Sequence, residues 1–239
     1  MSDSGTHNST YCSDQVRRFD EDRWLAASYA PAPLRRALLA LYAFQTELRR
    51  IPAAVTEPAL GEIRLQWWRD AFDELRNGKS PRAHPVVDEI SATANALDTH
   101  ANLIEAAIDA AARPLYGEGF SQMPSLVSWL EQADGTFDAL AVRIAGGDAA
   151  LSLAAAKAGG AFALAREGRA LAPSLESEIA AQASALYREV APSLKSAPAE
   201  VSPALLHLSL TSIYAQRGAQ HFPVRKRMRL FSAMAFGRF

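Results

Sequence analysis

Apolar residues recur every three or four positions along almost the whole chain, and no run alternates convincingly with a period of two. That pattern predicts an all-α protein. A first helix is expected over 19–28, after which the "APAP" of Ala30 to Pro33 resets the chain. Pro33 suits a first helical position, and Leu34, Leu38, Leu41, Tyr42 and Leu48 follow at helical spacing until Pro52 intervenes. The next helix is expected to take Thr56 as its N-cap. Its face of Leu60, Ile63, Trp67, Trp68, Ala71, Phe72 and Leu75 is strongly amphipathic, and Asn77-Gly78 ends it. Further helices are predicted over 85–97, 99–115, 124–145, 149–171, 175–190, 203–220 and 224–236. The one linker candidate, the Pro/Ser-rich 191–203, is too short to separate domains. The expectation is a single helical domain of about eight or nine helices over 15–239, preceded by a flexible tail over 1–14.

Composition narrows the class. Of 239 residues, 49% are hydrophobic, enough for one sizeable core. A formal charge of −1 gives no global pull toward nucleic acid, and no base-reading module is evident, so no nucleic-acid partner is expected. Cys12 is the only cysteine, which rules out an internal disulfide framework and suits a reducing cytoplasm. The opening "MSDSGTHNST" lacks the basic and apolar regions of a secretory signal, and the longest uncharged run, 201–216, is too short to span a bilayer. A soluble, cytoplasmic protein is expected.

Carboxylates at i and i+4 are the first candidates for chemistry, since that spacing puts two side chains on one helix face where they can share Mg²⁺. Glu105/Asp109, Asp134/Asp138 and Asp70/Glu74 meet it. A solvated helix face accounts for such pairs as readily, and Arg69 and Arg76 can neutralise the last of them. Nucleophilic catalysis has little support: there is no G-x-S-x-G, and no two histidines stand at ligand spacing. His84 reads as a loop residue and His207 as a core histidine. Gly159-Gly160 lies among alanines, where small residues allow close helix packing. From Ala215 to the C-terminus the chain carries Arg217, Arg225, Lys226, Arg227, Arg229 and Arg238, interleaved with Phe222, Met228, Leu230, Phe231, Met234 and Phe236 and free of acids. A basic segment with an apolar face is a candidate for peripheral contact with an anionic membrane through 222–239; a helix docked on the domain with its basic face in water is the alternative.

The order of several segments resembles the squalene/phytoene synthase family from about Phe19 onward. "RWLAASYAPAPLRRALLALYAF" is similar to the family's opening and "HPVVDEI" to its HPv segment. "PSLVSWLEQADGTFDALAVRIAGG", "AKAGGAFALAREGRAL" and "SPALLHLSLTSIYAQRG" follow in family order. The resemblance implies an isoprenoid-synthase-like helical bundle. Active members continue Tyr-Ala-Phe with Cys-Arg-x-x-Asp-Asp-x-x-Asp, whose acids bind Mg²⁺ and diphosphate. Here the pair becomes Gln45-Thr46 and the acids become Arg49, Arg50 and Ala53. The second motif, roughly Q-x-x-N-x-x-R-D-x-x-x-D, becomes Gly160, Ala163, Arg166, Glu167 and Leu171.

Acids replaced by arginines reverse the local charge, and a Mg²⁺–diphosphate centre needs several anionic oxygens. The chain therefore looks like a pseudo-enzyme with no cofactor. It is most similar to the family branch that lacks the aspartate motifs and includes a mitochondrial complex I assembly factor. What that implies is a protein partner among respiratory-complex subunits, at the inner membrane. Two other readings stand beside it. One is a prenyl transferase whose Mg²⁺ site has moved to Glu105/Asp109 or Asp134/Asp138. The other is a prenyl-phosphate or lipid binder using Arg49, Arg50 and Arg166 as anion ligands; the alternative for the first two is solvent exposure or pairing with Glu47.

Overall fold

The computed structural model describes residues 2–93, 100–218 and 222–237, and every element assigned in them is helical. The helices group into two compact units, Met1–Glu118 and Gly119–Phe239.

The first unit holds α1 (Ser2–Phe19), α2 (Glu21–Ala27), α3 (Ala32–Arg50), α4 (Pro58–Arg76), α5 (Pro85–Thr93) and α6 (Ala101–Ala112). Residues 2–14 were expected as a flexible tail but are the body of α1. Their polar composition hides a narrow apolar face: Cys12 and Val16 are buried, and α1 packs on α3 and α5. Tyr11 Oη donates to Glu47 of α3 at 3.0 Å, and Asn8 Nδ2 donates to Asp88 of α5 at 3.4 Å. Helix α2 is capped by Asp20, which accepts from the Arg23 backbone N–H and pairs with the buried Arg23 guanidinium at 2.9 Å. Helix α3 is the core element of this unit. It buries Leu38, Leu41, Tyr42, Phe44 and Leu48, and Phe44 meets Trp68 and Phe72 of α4 at ring separations of 4.9 and 4.8 Å. Arg36 of α3 forms a two-point pair with Glu89 of α5, which is fully buried.

The expected Thr56 cap is absent, since α4 begins one residue further on and Glu57 occupies its N-cap without a side-chain bond. Pro58 sits in the first turn, where no backbone N–H is needed. The boundaries expected at Leu97, Thr99 and Gln220 lie in or beside 94–99 and 219–221, outside the described residues.

The second unit holds α7 (Met123–Leu130), α8 (Thr136–Ile144), α9 (Ala149–Leu171), α10 (Glu176–Lys195), α11 (Ser202–Leu205), α12 (Thr211–Arg217) and α13 (Pro223–Phe236). Two helices expected to be continuous are divided. A π-helical turn, Glu131–Gly135, separates α7 from α8, and a 3-10 turn, Leu206–Leu210, separates α11 from α12. Helix α10 continues through Pro192, which lies close enough to its end to forgo one helical bond. Helix α9 matches its expected range and is the axis of the unit, packing on α7, α8, α10 and α12. Its small residues explain how. A Cβ on Gly159 would lie 2.1 Å from Asp138 Oδ2 and 2.8 Å from the Gly135 Cα, so the backbones of α9 and the π turn touch.

Candidate functional site

Helix α3 stops at Arg50, and Ile51, Pro52 and the 3-10 turn Pro52–Ala54 take the chain off the helical path. The three positions of the first motif therefore no longer share one helix: Arg49 and Arg50 end it and Ala53 lies in the turn. All three are exposed. Arg50 is held by several groups. Its guanidinium lies 3.8 Å from Glu47 Oε1, donates to Gln15 Oε1 at 3.2 Å and sits 4.7 Å from the Phe19 ring. These contacts tie Arg50 to α1 and to its own helix.

On α9, Gly160 and Ala163 are buried while Arg166, Glu167 and Leu171 are partly exposed. A Cβ on Gly160 would meet the Glu131 side chain at 2.6 Å, so the position serves helix contact. Burial pushes the Glu131 carboxyl above its ordinary range. Arg166 donates to its neighbour Glu167 at 2.7 and 2.9 Å and lies over the Phe162 ring. The two candidate arginine groups belong to different units, Arg49 and Arg50 to the first and Arg166 to the second.

The candidate carboxylate pairs differ sharply. Glu105 and Asp109 lie on one face of α6, and Arg69 of α4 reaches both, at 3.4 and 2.6 Å. Asp70 and Glu74 likewise meet Arg82, at 3.6 and 2.7 Å. Asp134 and Asp138 are both buried, but Asp134 lies in the π turn and Asp138 in α8. Asp138 Oδ1 is 2.9 Å from His207 Nε2, and both side chains are wholly inaccessible. Glu105, Asp109, Asp70, Glu74 and Asp138 thus each have a basic partner, and among the described residues no group of three or more metal-ligating side chains converges.

A cavity of about 270 Å³ opens at the C-terminal end of α3. Glu47, Arg50, Ile51 and Ala54 form one wall, Arg64, Trp67 and Trp68 of α4 a second, and His84 closes it. The two indoles stand edge to face at 5.1 Å, and the His84 ring contacts them at 5.6 and 5.2 Å. The Val86 backbone N–H donates to His84 Nδ1 at 3.2 Å, so in the neutral ring the proton sits on Nε2. Burial lowers the His84 pKa and favours that neutral form. Apart from Arg50, sequence reasoning overlooked this group as a site. Its signal was the adjacent pair Trp67-Trp68, wider than one buried stripe of α4 requires.

The fold is that of the isoprenoid synthases. A dehydrosqualene synthase solved in complex with ligand matches it with a TM-score of 0.75 over 97% of each chain, at 15% identity. Residues 16–177 match the squalene/phytoene synthase family, and the chain belongs to that family. Among curated proteins, complex I assembly factor 6 of Mus musculus is 25% identical over 142 residues, 59% of this chain. The Drosophila melanogaster homolog is 27% identical over 143 residues, and the Bos taurus protein 33% over 87. The chain spans 42% of the length of the first two relatives and 25% of the third. No described helix is long and apolar enough to cross a membrane.

Proposed function

We propose that the chain is a catalytically silent member of the squalene/phytoene synthase family that acts as a binding or assembly factor for a respiratory complex, complex I being the first candidate. The observation that carries this reading is the reversed first motif. Arg49 and Arg50 stand at the end of α3, the helix stops before Ala53, and Arg50 lies 3.8 Å from Glu47 Oε1. A solvated helix end with two arginines repels Mg²⁺, and its one nearby carboxylate, Glu47, is engaged by Arg50 and the Tyr11 hydroxyl. The similarity to complex I assembly factor 6 supplies the class of partner.

The same reading includes peripheral attachment to an anionic membrane through α13. Val224, Met228 and Phe231 recur at i, i+4 and i+7, and all are more than half exposed, at 67, 66 and 59%. Leu230 and Ala233 on the other side of the helix are buried, so α13 is docked by one face and presents a second apolar one. Arg225 and Arg227 are exposed beside that stripe. Apolar side chains between cations suit the boundary of an anionic lipid layer. Residues 238 and 239 of the expected contact lie outside the described residues.

The experiment has two arms. Cells lacking the chain are compared with their parent for assembled complex I on native gels, and the purified protein is incubated with farnesyl or geranylgeranyl diphosphate and Mg²⁺. Loss of assembled complex without hydrocarbon product supports the assembly reading. Normal complex I levels overturn it. Hydrocarbon formation that disappears in Asp109→Ala or Asp138→Asn replaces it with a prenyl transferase whose metal site has moved.

A further inference from the structure

The cavity at the end of α3 takes in only one position of the first motif. It is lined by Glu47, Arg50 and Ala54, whereas neither Arg49 nor Ala53 borders it. Its chemistry is uneven in a way that selects a ligand. The one carboxylate, Glu47, already accepts from the Tyr11 hydroxyl at 3.0 Å and faces Arg50 at 3.8 Å. Arg64 has no hydrogen bond, ion pair or ring contact among the described residues and is exposed at the rim. Neither the Trp67 nor the Trp68 indole N–H has a hydrogen-bond acceptor among the described residues, and His84 offers an Nε2–H in its neutral form. The cavity therefore presents an uncommitted cation and several N–H donors against two indole rings, with its only acid neutralised from within. Size sets a second limit. An engineered cavity of about 150 Å³ takes up benzene, so about 270 Å³ accommodates one ring with a short substituent.

We infer that this cavity is a binding site for a small arene carrying an anionic substituent, carboxylate or phosphate monoester. The ring packs against Trp67 and Trp68, and the anion lies toward Arg64 with Arg50 behind it. This role is separate from any metal-dependent chemistry and from the assembly reading. It would hold a small aromatic anion between the end of α3 and the face of α4.

The sequence contains four tryptophans, which makes the test direct. Indole N–H signals of the ¹⁵N-labelled protein are assigned with single Trp→Phe variants and followed during titration with phenylacetate, phenyl phosphate, phenethylamine and inorganic phosphate. Expected is saturable movement of the Trp67 and Trp68 signals with the two aromatic anions, while Trp24 and Trp129 stay in place. The ratio of the two affinities tells carboxylate from phosphate. Arg64→Ala, at an exposed position that leaves the fold intact, should weaken binding by about tenfold or more, since a charge-assisted contact is lost. Any of three results overturns the inference: no saturation by either aromatic anion up to about 10 mM, equal binding of phenethylamine or inorganic phosphate, or unchanged affinity in Arg64→Ala.

Discussion

Removing the His207 ring separates a structural carboxylate from a metal ligand at Asp138. The two side chains meet at 2.9 Å and neither has any exposed surface. His207 also stands edge-on to Phe162 at 5.3 Å, so His207→Ala leaves both a cavity and a buried carboxylate stripped of this partner. Losing a buried hydrogen-bond partner together with the volume of its ring costs about 3–5 kcal/mol. With a urea slope of about 3 kcal/mol/M, the unfolding midpoint should fall by about 1–1.7 M. Asp138→Asn keeps the volume and a polar side chain and should cost less, about 1.5–3 kcal/mol. In the double variant the contact is removed once rather than twice, so the two losses should be less than additive by about 1–3 kcal/mol.

The assay is urea unfolding followed by circular dichroism for wild type, both single variants and the double, each with and without Mg²⁺. A cost below about 1 kcal/mol for His207→Ala would show that the pair does not hold the second unit together. Stabilisation of wild type by Mg²⁺ that vanishes in Asp138→Asn would refute the structural assignment outright. That outcome would make Asp138 a ligand and restore the relocated-site reading.

Further expectations concern the other contacts. Gly159→Ala should destabilise by about 1–3 kcal/mol or more, although alanine is the better helix former, because its Cβ meets the Asp138 carboxylate and the Gly135 backbone; thermal unfolding measures it, and a rise in Tm would contradict the contact. Cys12 is buried, and burial pushes its thiol up to about 12. At pH 8 its labelling by a thiol reagent should be about 10³-fold slower than that of a free cysteine until urea unfolds α1, and rapid labelling would return residues 1–14 to the status of a tail. Burial holds the His84 pKa below its ordinary 6.5, so the unfolded chain takes up a proton that the folded one resists. Its contribution to stability is full above about pH 6.5 and is lost progressively as pH falls below that value. His84→Asn, which keeps an acceptor for the first turn of α5, should flatten that decline, and an unchanged slope argues against it. Replacing Met228 and Phe231 together by serine should lower flotation with anionic vesicles by at least about tenfold without altering Tm, and equal flotation removes α13 from the membrane surface.

How far the sequence carried the fold depended on how locally each element is determined. Helix α9 was found at its limits because Asp148 caps it and its apolar run is uninterrupted; the cap bond, Asp148 Oδ1 accepting from the Leu151 N–H at 2.8 Å, needs nothing beyond three neighbouring residues. The division of 124–145 was not legible. The π turn lies where the Gly135 backbone meets the Ala156 carbonyl, a Cβ there coming within 2.1 Å, and residues 21 positions apart give no periodic signal. Helix α1 was missed for the opposite reason. Its apolar face is little more than Cys12 and Val16, and its polar remainder finds partners on α3 and α5 that only the fold supplies.

The candidate site divides along the same line. The loss of acids at Arg49, Arg50 and Ala53 can be read from the order of residues alone, because it concerns which side chains are present. What those side chains do depends on where α3 ends. A helix running on through residue 53 would have kept positions 49 and 53 one turn apart on a single face. The chain instead turns at Pro52, Arg50 folds back onto Glu47 and Phe19, and the helix end becomes a rim beside two indoles. The charge reversal and the helix stop thus act together. On an intact helix Arg49 and Ala53 would have shared one face, whereas at the broken end only Arg50 reaches the cavity, whose uncommitted charge comes from Arg64 on the neighbouring helix. An inherited scaffold that exchanged metal chemistry for recognition would need both changes, and both are present in the twelve residues from Tyr42 to Ala53.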